Sequence, residues 1–103
     1  MRFQDKVVFV TGSGAGIGRA AALAFAREGA KVVTNSRTGE TGQKTLEMIE
    51  AAGGTGMFLQ GDVSKAAEVK RMVEQTAHTF GPIDILVNCA GVVLGGRADN
   101  TTE

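Results

Sequence analysis

From position 12 to position 18 glycine occupies every second residue, as Gly12, Gly14, Gly16 and Gly18, and this alternation constrains the fold more than any other feature of the chain. Each glycine inside a helix or strand costs about 0.5–1 kcal/mol relative to alanine, so a cluster this dense belongs to a turn. Its neighbours show what the turn joins. Val7-Val8-Phe9-Val10 is a continuous apolar run rich in β-branched residues, the pattern of a strand buried on both faces of a parallel sheet. After Gly16 the apolar positions Ile17, Ala20, Ala21, Ala24 and Phe25 recur at helical spacing, and Gly29 closes the helix. A strand that enters a helix through a turn without side chains lets a ligand approach the backbone. The free N–H groups and dipole at the helix start then favour an anion there. An ordinary glycine-rich connection is the alternative, and the flanking strand and helix argue against it.

The same alternation of strand and helix continues. Lys31 to Asn35 reads as a second strand, and a segment from Thr41 to Ala52 carries Thr45, Met48, Ile49 and Ala52 on one face before Gly53-Gly54 stops it. Thr55 to Gln60 is a third strand. Ser64 is placed to cap a helix whose apolar face comprises Val69, Met72, Val73, Thr76, Ala77 and Phe80. Gly81-Pro82 ends that helix, and Ile83 to Val87 is a fourth strand running into Asn88-Cys89-Ala90-Gly91. Asp84 within it is expected to bond local backbone. Right-handed crossovers and one reversal of direction give an α/β, Rossmann-type parallel sheet of order 3-2-1-4, half of a doubly wound fold with helices on both faces. Ligands bind such sheets beyond the carboxyl ends of the strands, at the switch point between strands one and four.

Composition excludes several partners. Eleven Lys and Arg balance eleven Asp and Glu, so no basic excess exists to neutralise nucleic-acid phosphates or to seek an anionic membrane. The start, Met1-Arg2-Phe3-Gln4-Asp5-Lys6, is charged and is followed by too short an apolar run for a signal or a membrane span. With one cysteine, Cys89, no internal disulfide or cysteine zinc site forms, which fits a reducing cytoplasm. Cys89 reads as a small buried hydrophobe. His78, the one histidine, falls on the polar side of its helix, and no metal site is expected around it.

Thr11 to Gly18 matches the T-G-x-x-x-G-x-G cofactor motif of the short-chain dehydrogenase/reductase family, and further matches follow in order. Asp62-Val63 resembles the family's Asp that meets the adenine ring, with the next residue's backbone beside it. Asn88-Cys89-Ala90-Gly91 resembles the family's N-N-A-G, with Cys89 in place of the second Asn. The likeness runs from Lys6 to Glu103 and is strongest to the bacterial β-ketoacyl carrier-protein reductase type and related sugar or alcohol dehydrogenases. It implies that Gly12, Ser13, Gly14, Gly16, Ile17, Gly18, Asp62, Val63, Asn88, Ala90 and Gly91 contact a nicotinamide dinucleotide. It also places the family's catalytic Ser, its Tyr-x-x-x-Lys pair and a helix Asn beyond the fourth strand. This sequence contains no tyrosine, so no catalytic residue is assigned and residues 1–103 are expected to be a dinucleotide-binding domain that stops before the catalytic segment. Thr101-Thr102-Glu103 reads as the start of a further helix.

The end of the second strand reports on the cofactor's ribose. An acidic residue there accepts from the 2′-hydroxyl of NAD, whereas an arginine accommodates the 2′-phosphate of NADP. The slots read Ser36-Arg37, so NADP(H) is expected over NAD(H), with Ser36 as a second donor and a solvated loop arginine as the bland alternative. Three functions remain open: part of an NADP(H)-dependent oxidoreductase acting on a small carbonyl or alcohol, a dinucleotide-binding module without turnover, and a self-associating fragment. The bare apolar fourth strand is expected to favour a homo-oligomer.

Overall fold

The computed structural model describes residues 2–89; the readings made for Ala90, Gly91 and the Thr101–Glu103 tail lie outside them. The elements run β1 (Val7–Thr11), α1 (Gly16–Arg27), β2 (Lys31–Ser36), α2 (Gly39–Ala51), β3 (Thr55–Gln60), α3 (Ala66–Thr79) and β4 (Ile85–Asn88). The four strands form one parallel sheet in the order β3-β2-β1-β4, as the alternating apolar runs require. Val8 pairs with Val32 on one side and Ile85 on the other, and Val33 pairs with Met57.

Successive strand residues point to opposite faces, and each face has its own core. Val8, Val10 and Val32 pack with Ala22 of α1 and Ile49 of α2. Phe9, Val33 and Leu59 pack on the other side with Met72 of α3. Every residue of β1 is buried, which explains its lack of polar alternation. Leu86 lies beside Phe9 in register and therefore belongs to the α3 face, where it is 53% exposed. Val73 of α3 is also exposed, so this face of the sheet is only partly covered by the described residues.

Helix faces are where the sequence expectation fails. On α1 the buried stripe is Gly18 and Ala22, with Ala21, Phe25 and Ala26 half-buried, while Ile17, Ala20 and Ala24 are exposed. On α2 it is Gly42, Thr45, Leu46 and Ile49, leaving Met48 and Ala52 outside. Both shifts have one cause. A Cβ on Gly18 would overlap the Gly12 carbonyl, and one on Gly42 would overlap the Phe58 ring. Each helix thus approaches the glycine turn or the sheet closely through a residue with no side chain, which hydrophobic periodicity does not register. On α3 only Met72 and Thr76 are fully buried; Val73 and Ala77 of the expected face are exposed.

Three smaller corrections concern polar residues and boundaries. Strand β4 begins at Ile85, because the preceding residues turn to reach it. Asp84 does not bond local backbone: its Oδ2 accepts the Val7 N–H at 2.8 Å and its own N–H donates to the Val7 carbonyl at 2.8 Å. It thereby pins the start of β1 to the approach of β4. Ser64 does not cap α3. Lys65 holds the N-cap position without a side-chain bond, and the Ser64 hydroxyl instead donates to Asp62 Oδ1 at 2.7 Å.

Candidate functional site

The carboxyl ends of the strands open into a cleft of about 410 Å³ lined by Gly12, Gly14 and Ala15 after β1, Ser36 and Arg37 after β2, and Gly61 to Ser64 after β3, with Asn35, Thr41 and Cys89. Its volume falls in the range of small-molecule and cofactor sites. The cleft lies beyond the carboxyl ends of the strands of the β3-β2-β1-β4 sheet, where ligands of such sheets bind.

The glycine turn forms its upper wall. Gly12 and Gly16 have φ near +60°, at +60° and +56°, a region that L side chains rarely adopt. Ala15 holds the N-cap of α1 in extended conformation with no side-chain cap, and no acidic residue stands in the first turn. The helix therefore starts with backbone donors that no side chain satisfies and no carboxylate opposes. Those features fit a pyrophosphate. Ile17, at the first turn of α1, is 81% exposed. Ser13, by contrast, is turned inward: its hydroxyl donates to the Val10 carbonyl at 2.8 Å and accepts the Asn35 N–H at 2.7 Å.

The second wall is the β2–α2 connection. Arg37 is exposed and its guanidinium makes no hydrogen bond to a described residue, while its carbonyl accepts Gln60 Nε2 at 3.0 Å. The Ser36 hydroxyl donates to the Thr38 carbonyl and accepts the Gly42 N–H at 3.1 Å. Its proton is thus used to shape the loop, and Thr41, whose Oγ1 lies 3.2 Å from that of Thr38, lines the cleft as well.

Asp62 and Val63 line the third wall. Asp62 Oδ1 accepts both the hydroxyl and the N–H of Ser64, at 2.7 and 2.9 Å, and the Asp62 N–H donates to Glu68 Oε1 at 2.7 Å. The two Ser64 bonds hold the Asp62 carboxyl below the usual carboxylate range, with Arg37 and Lys65 adding to them. Asn88 ends β4, where the Thr11 hydroxyl lies 2.9 Å from its Oδ1 and accepts the Cys89 N–H at 3.0 Å. Thr11 therefore ties the ends of β1 and β4 together at the bottom of the cleft. Burial pushes the Cys89 thiol up, so it stays protonated at neutral pH.

Of the residues anticipated from sequence, Gly12, Gly14, Ser36, Arg37, Asp62 and Val63 line the cleft together. Ser13, Gly16, Gly18 and Asn88 form its frame and not its lining. Sequence reasoning missed Asn35, Thr41, Ser64 and Arg19. Asn35 and Thr41 carry a usable signal, since a polar residue near the carboxyl end of a buried strand and a hydroxyl in the next helix's first turn both line the cleft.

The short chain dehydrogenase family profile matches residues 6–103, and the chain belongs to the short-chain dehydrogenase/reductase family of oxidoreductases. Binding of a nicotinamide dinucleotide goes with that membership. An uncharacterized oxidoreductase of Thermotoga maritima is 50% identical over 103 residues, which is all of this chain and 40% of that protein. A short-chain dehydrogenase/reductase homolog of Bacillus subtilis is 43% identical over 93 residues, 89% of this chain and 85% of its own length. The crystal structure of a short chain dehydrogenase from Mycobacterium avium superposes with a TM-score of 0.85 at 39% identity, covering 90% of this chain and 35% of that one. The chain thus spans about two fifths of the Thermotoga relative but most of the Bacillus one.

Proposed function

We propose that this chain is the dinucleotide-holding part of an NADP(H)-dependent oxidoreductase acting on a small carbonyl or alcohol, with residues 1–103 as one binding domain. The observation that carries this reading is one cleft in which an uncapped helix start, an exposed arginine without a hydrogen bond from its guanidinium to a described residue and an ionised carboxylate face the same space. Gly12, Gly14, Gly16 and Gly18 give the pyrophosphate its backbone cradle, and the helix dipole stabilises its charge. Ile17, exposed at the start of α1, offers an apolar contact to the nicotinamide half. Arg37 receives the 2′-phosphate, and no carboxylate at the end of β2 is present to accept a 2′-hydroxyl in its place. Asp62 and Val63 flank the adenine. Asn88, Ala90 and Gly91 complete the adenosine side. Ser13 acts through the turn it holds, and Ser36 through the loop it shapes.

A bound nicotinamide supplies hydride transfer; the residues described here bind it, orient it and offer no proton donor of their own for the reacting carbonyl. The single cysteine fits a reducing, cytoplasmic setting, and the exposed Leu86 and Val73 fit a homo-oligomer. No described helix is long and apolar enough to cross a membrane. Calorimetric titration with NADP+ and NAD+ tests the reading: saturable binding of NADP+, tighter than NAD+, supports it. Absence of binding by either overturns it.

A further inference from the structure

Arg19 sits in the first turn of α1, half-buried, and its Nε and one terminal nitrogen are turned toward backbone and hydroxyl oxygens. Its terminal nitrogen donates to the Gly14 carbonyl, and the same nitrogen lies 3.4 Å from the Thr41 carbonyl. Its Nε donates to Thr45 Oγ1 at 2.9 Å, and the Thr45 hydroxyl, fully buried, donates in turn to the Ser13 carbonyl at 2.7 Å. Two successive carbonyls of the glycine turn are therefore held from behind, one by Arg19 and one by Thr45 acting for it. A Cβ on Gly14 would overlap the Thr41 side chain, so the turn is also pressed directly against the start of α2.

We propose that Arg19, acting through Thr45, is a positioning residue that fixes the glycine turn in its pyrophosphate-accepting form; the inference rests on the dinucleotide reading above. A trans peptide is planar, so a Gly14 carbonyl held on the guanidinium sets the Ala15 N–H in the opposite direction. Ala15 lines the cleft. A freed Gly14 carbonyl would rotate readily at a residue without a side chain and would bring a negative dipole toward the phosphates. Arginine suits this task because its planar fork reaches several acceptors at once and stays charged, whereas lysine offers a single point of attachment. Arg19 is not among the residues that line the cleft; it orders the donors that face it.

The test compares ADP-ribose, which carries the pyrophosphate, with adenosine, which does not, by titration of the full chain and its Arg19→Ala, Arg19→Lys, Thr45→Val and Thr45→Ser variants. Arg19→Ala and Thr45→Val are expected to weaken ADP-ribose about tenfold, the loss of one charge-assisted hydrogen bond, and adenosine less than about twofold. Thr45→Ser, which keeps the hydroxyl relay, should bind as the parent does, and Arg19→Lys should fall between parent and Arg19→Ala. Equal loss for both ligands, or no loss for either, overturns the proposal. If the parent chain binds neither ligand, the dinucleotide reading fails, and backbone hydrogen exchange still decides the clamp. Faster exchange in Arg19→Ala at residues 12–16 and 39–45, with β3 unchanged, supports it; unchanged exchange there refutes it.

Discussion

Asn35 Oδ1 accepts the Gly12 N–H at 3.1 Å, and through that bond the last buried part of β2 holds the first residue of the glycine turn. The same side chain donates from Nδ2 to the carbonyls of Leu59 and Gly61, both at 3.2 Å. One amide thus joins three walls of the cleft: the turn after β1, the exit of β2 and the exit of β3. It can do so because an amide both donates and accepts at fixed angles, a combination that neither a carboxylate nor an aliphatic side chain reproduces.

Replacing Asn35 therefore leaves several buried groups without partners. Asn35→Leu is expected to destabilise the fold by about 2–3 kcal/mol, since each orphaned buried donor or acceptor costs about 1–3 kcal/mol. Urea unfolding followed by circular dichroism measures this, and a shift in stability below about 0.5 kcal/mol, the range of neutral surface changes, would argue against the hub.

Much of the architecture could be read from residue order. The apolar run at Val7–Val10 marks its strand because a strand covered on both faces leaves no polar alternation to confuse the pattern, and Met57-Phe58-Leu59 marks the half-buried β3. The glycine turn was legible for the opposite reason, since nothing regular tolerates such density. What escaped were relations across the sheet. Asp84 meets Val7 from 77 positions away, and Asn35 meets Gly61 from 26. No local rule reports either pairing. The buried faces of α1 and α2 differ from the periodic ones because Gly18 and Gly42 make close contacts while contributing nothing to hydrophobicity. Ser64 was assigned to the helix after it, yet a neighbouring carboxylate two residues earlier competed successfully for its hydroxyl.

The Asp62–Ser64 pair makes a pH prediction with a defined sign. The carboxyl is lowered in the folded chain relative to the ordinary aspartate value of about 3.9. Its contribution to stability is therefore present above that value and lost as the pH falls through the lower folded one. The group is exposed, so the contribution is small. Ser64→Ala removes the hydroxyl bond and should raise the pKa toward the ordinary value. Carboxyl-carbon NMR titration reads it directly, and an Asp62 that titrates at or above the ordinary value in the parent chain would contradict the geometry.

The partly covered α3 face predicts association. Leu86 is 53% exposed and Val73 43% exposed on the side of the sheet that carries Phe9 and Met72. The chain is expected to self-associate at tens of micromolar by covering that face. Leu86→Lys should shift the equilibrium toward monomer in sedimentation velocity. A strictly monomeric parent that also fails to enhance the fluorescence of an apolar-surface dye would remove the basis for this expectation.

Turnover needs more than a bound nicotinamide. Reduction of a carbonyl requires a proton donor at the developing alkoxide, and such help is worth about 10²–10⁴-fold in rate. The 103-residue sequence has no tyrosine, and the described residues of the cleft provide no substitute near the place where a substrate would sit. The 103-residue polypeptide by itself is expected to leave NADPH unconsumed in the presence of simple ketones and aldehydes. Adding a polypeptide that carries the family's Ser and Tyr-x-x-x-Lys residues should restore consumption if the two dock. Steady, protein-proportional oxidation of NADPH by repurified chain alone would place the chemistry elsewhere.

In the proposed function Arg37 completes an NADP(H) site built on the glycine turn. Isothermal titration of the parent chain and Arg37→Ala with NADP+ and NAD+ tests it most directly. A charge-assisted hydrogen bond to the 2′-phosphate contributes about 1.5–3 kcal/mol, so the parent should prefer NADP+ by about ten- to a hundredfold. Arg37→Ala should lose most of that preference and its dependence on salt while binding NAD+ as before. Equal discrimination by parent and variant, or a parent that binds NAD+ as tightly as NADP+, would contradict the assignment.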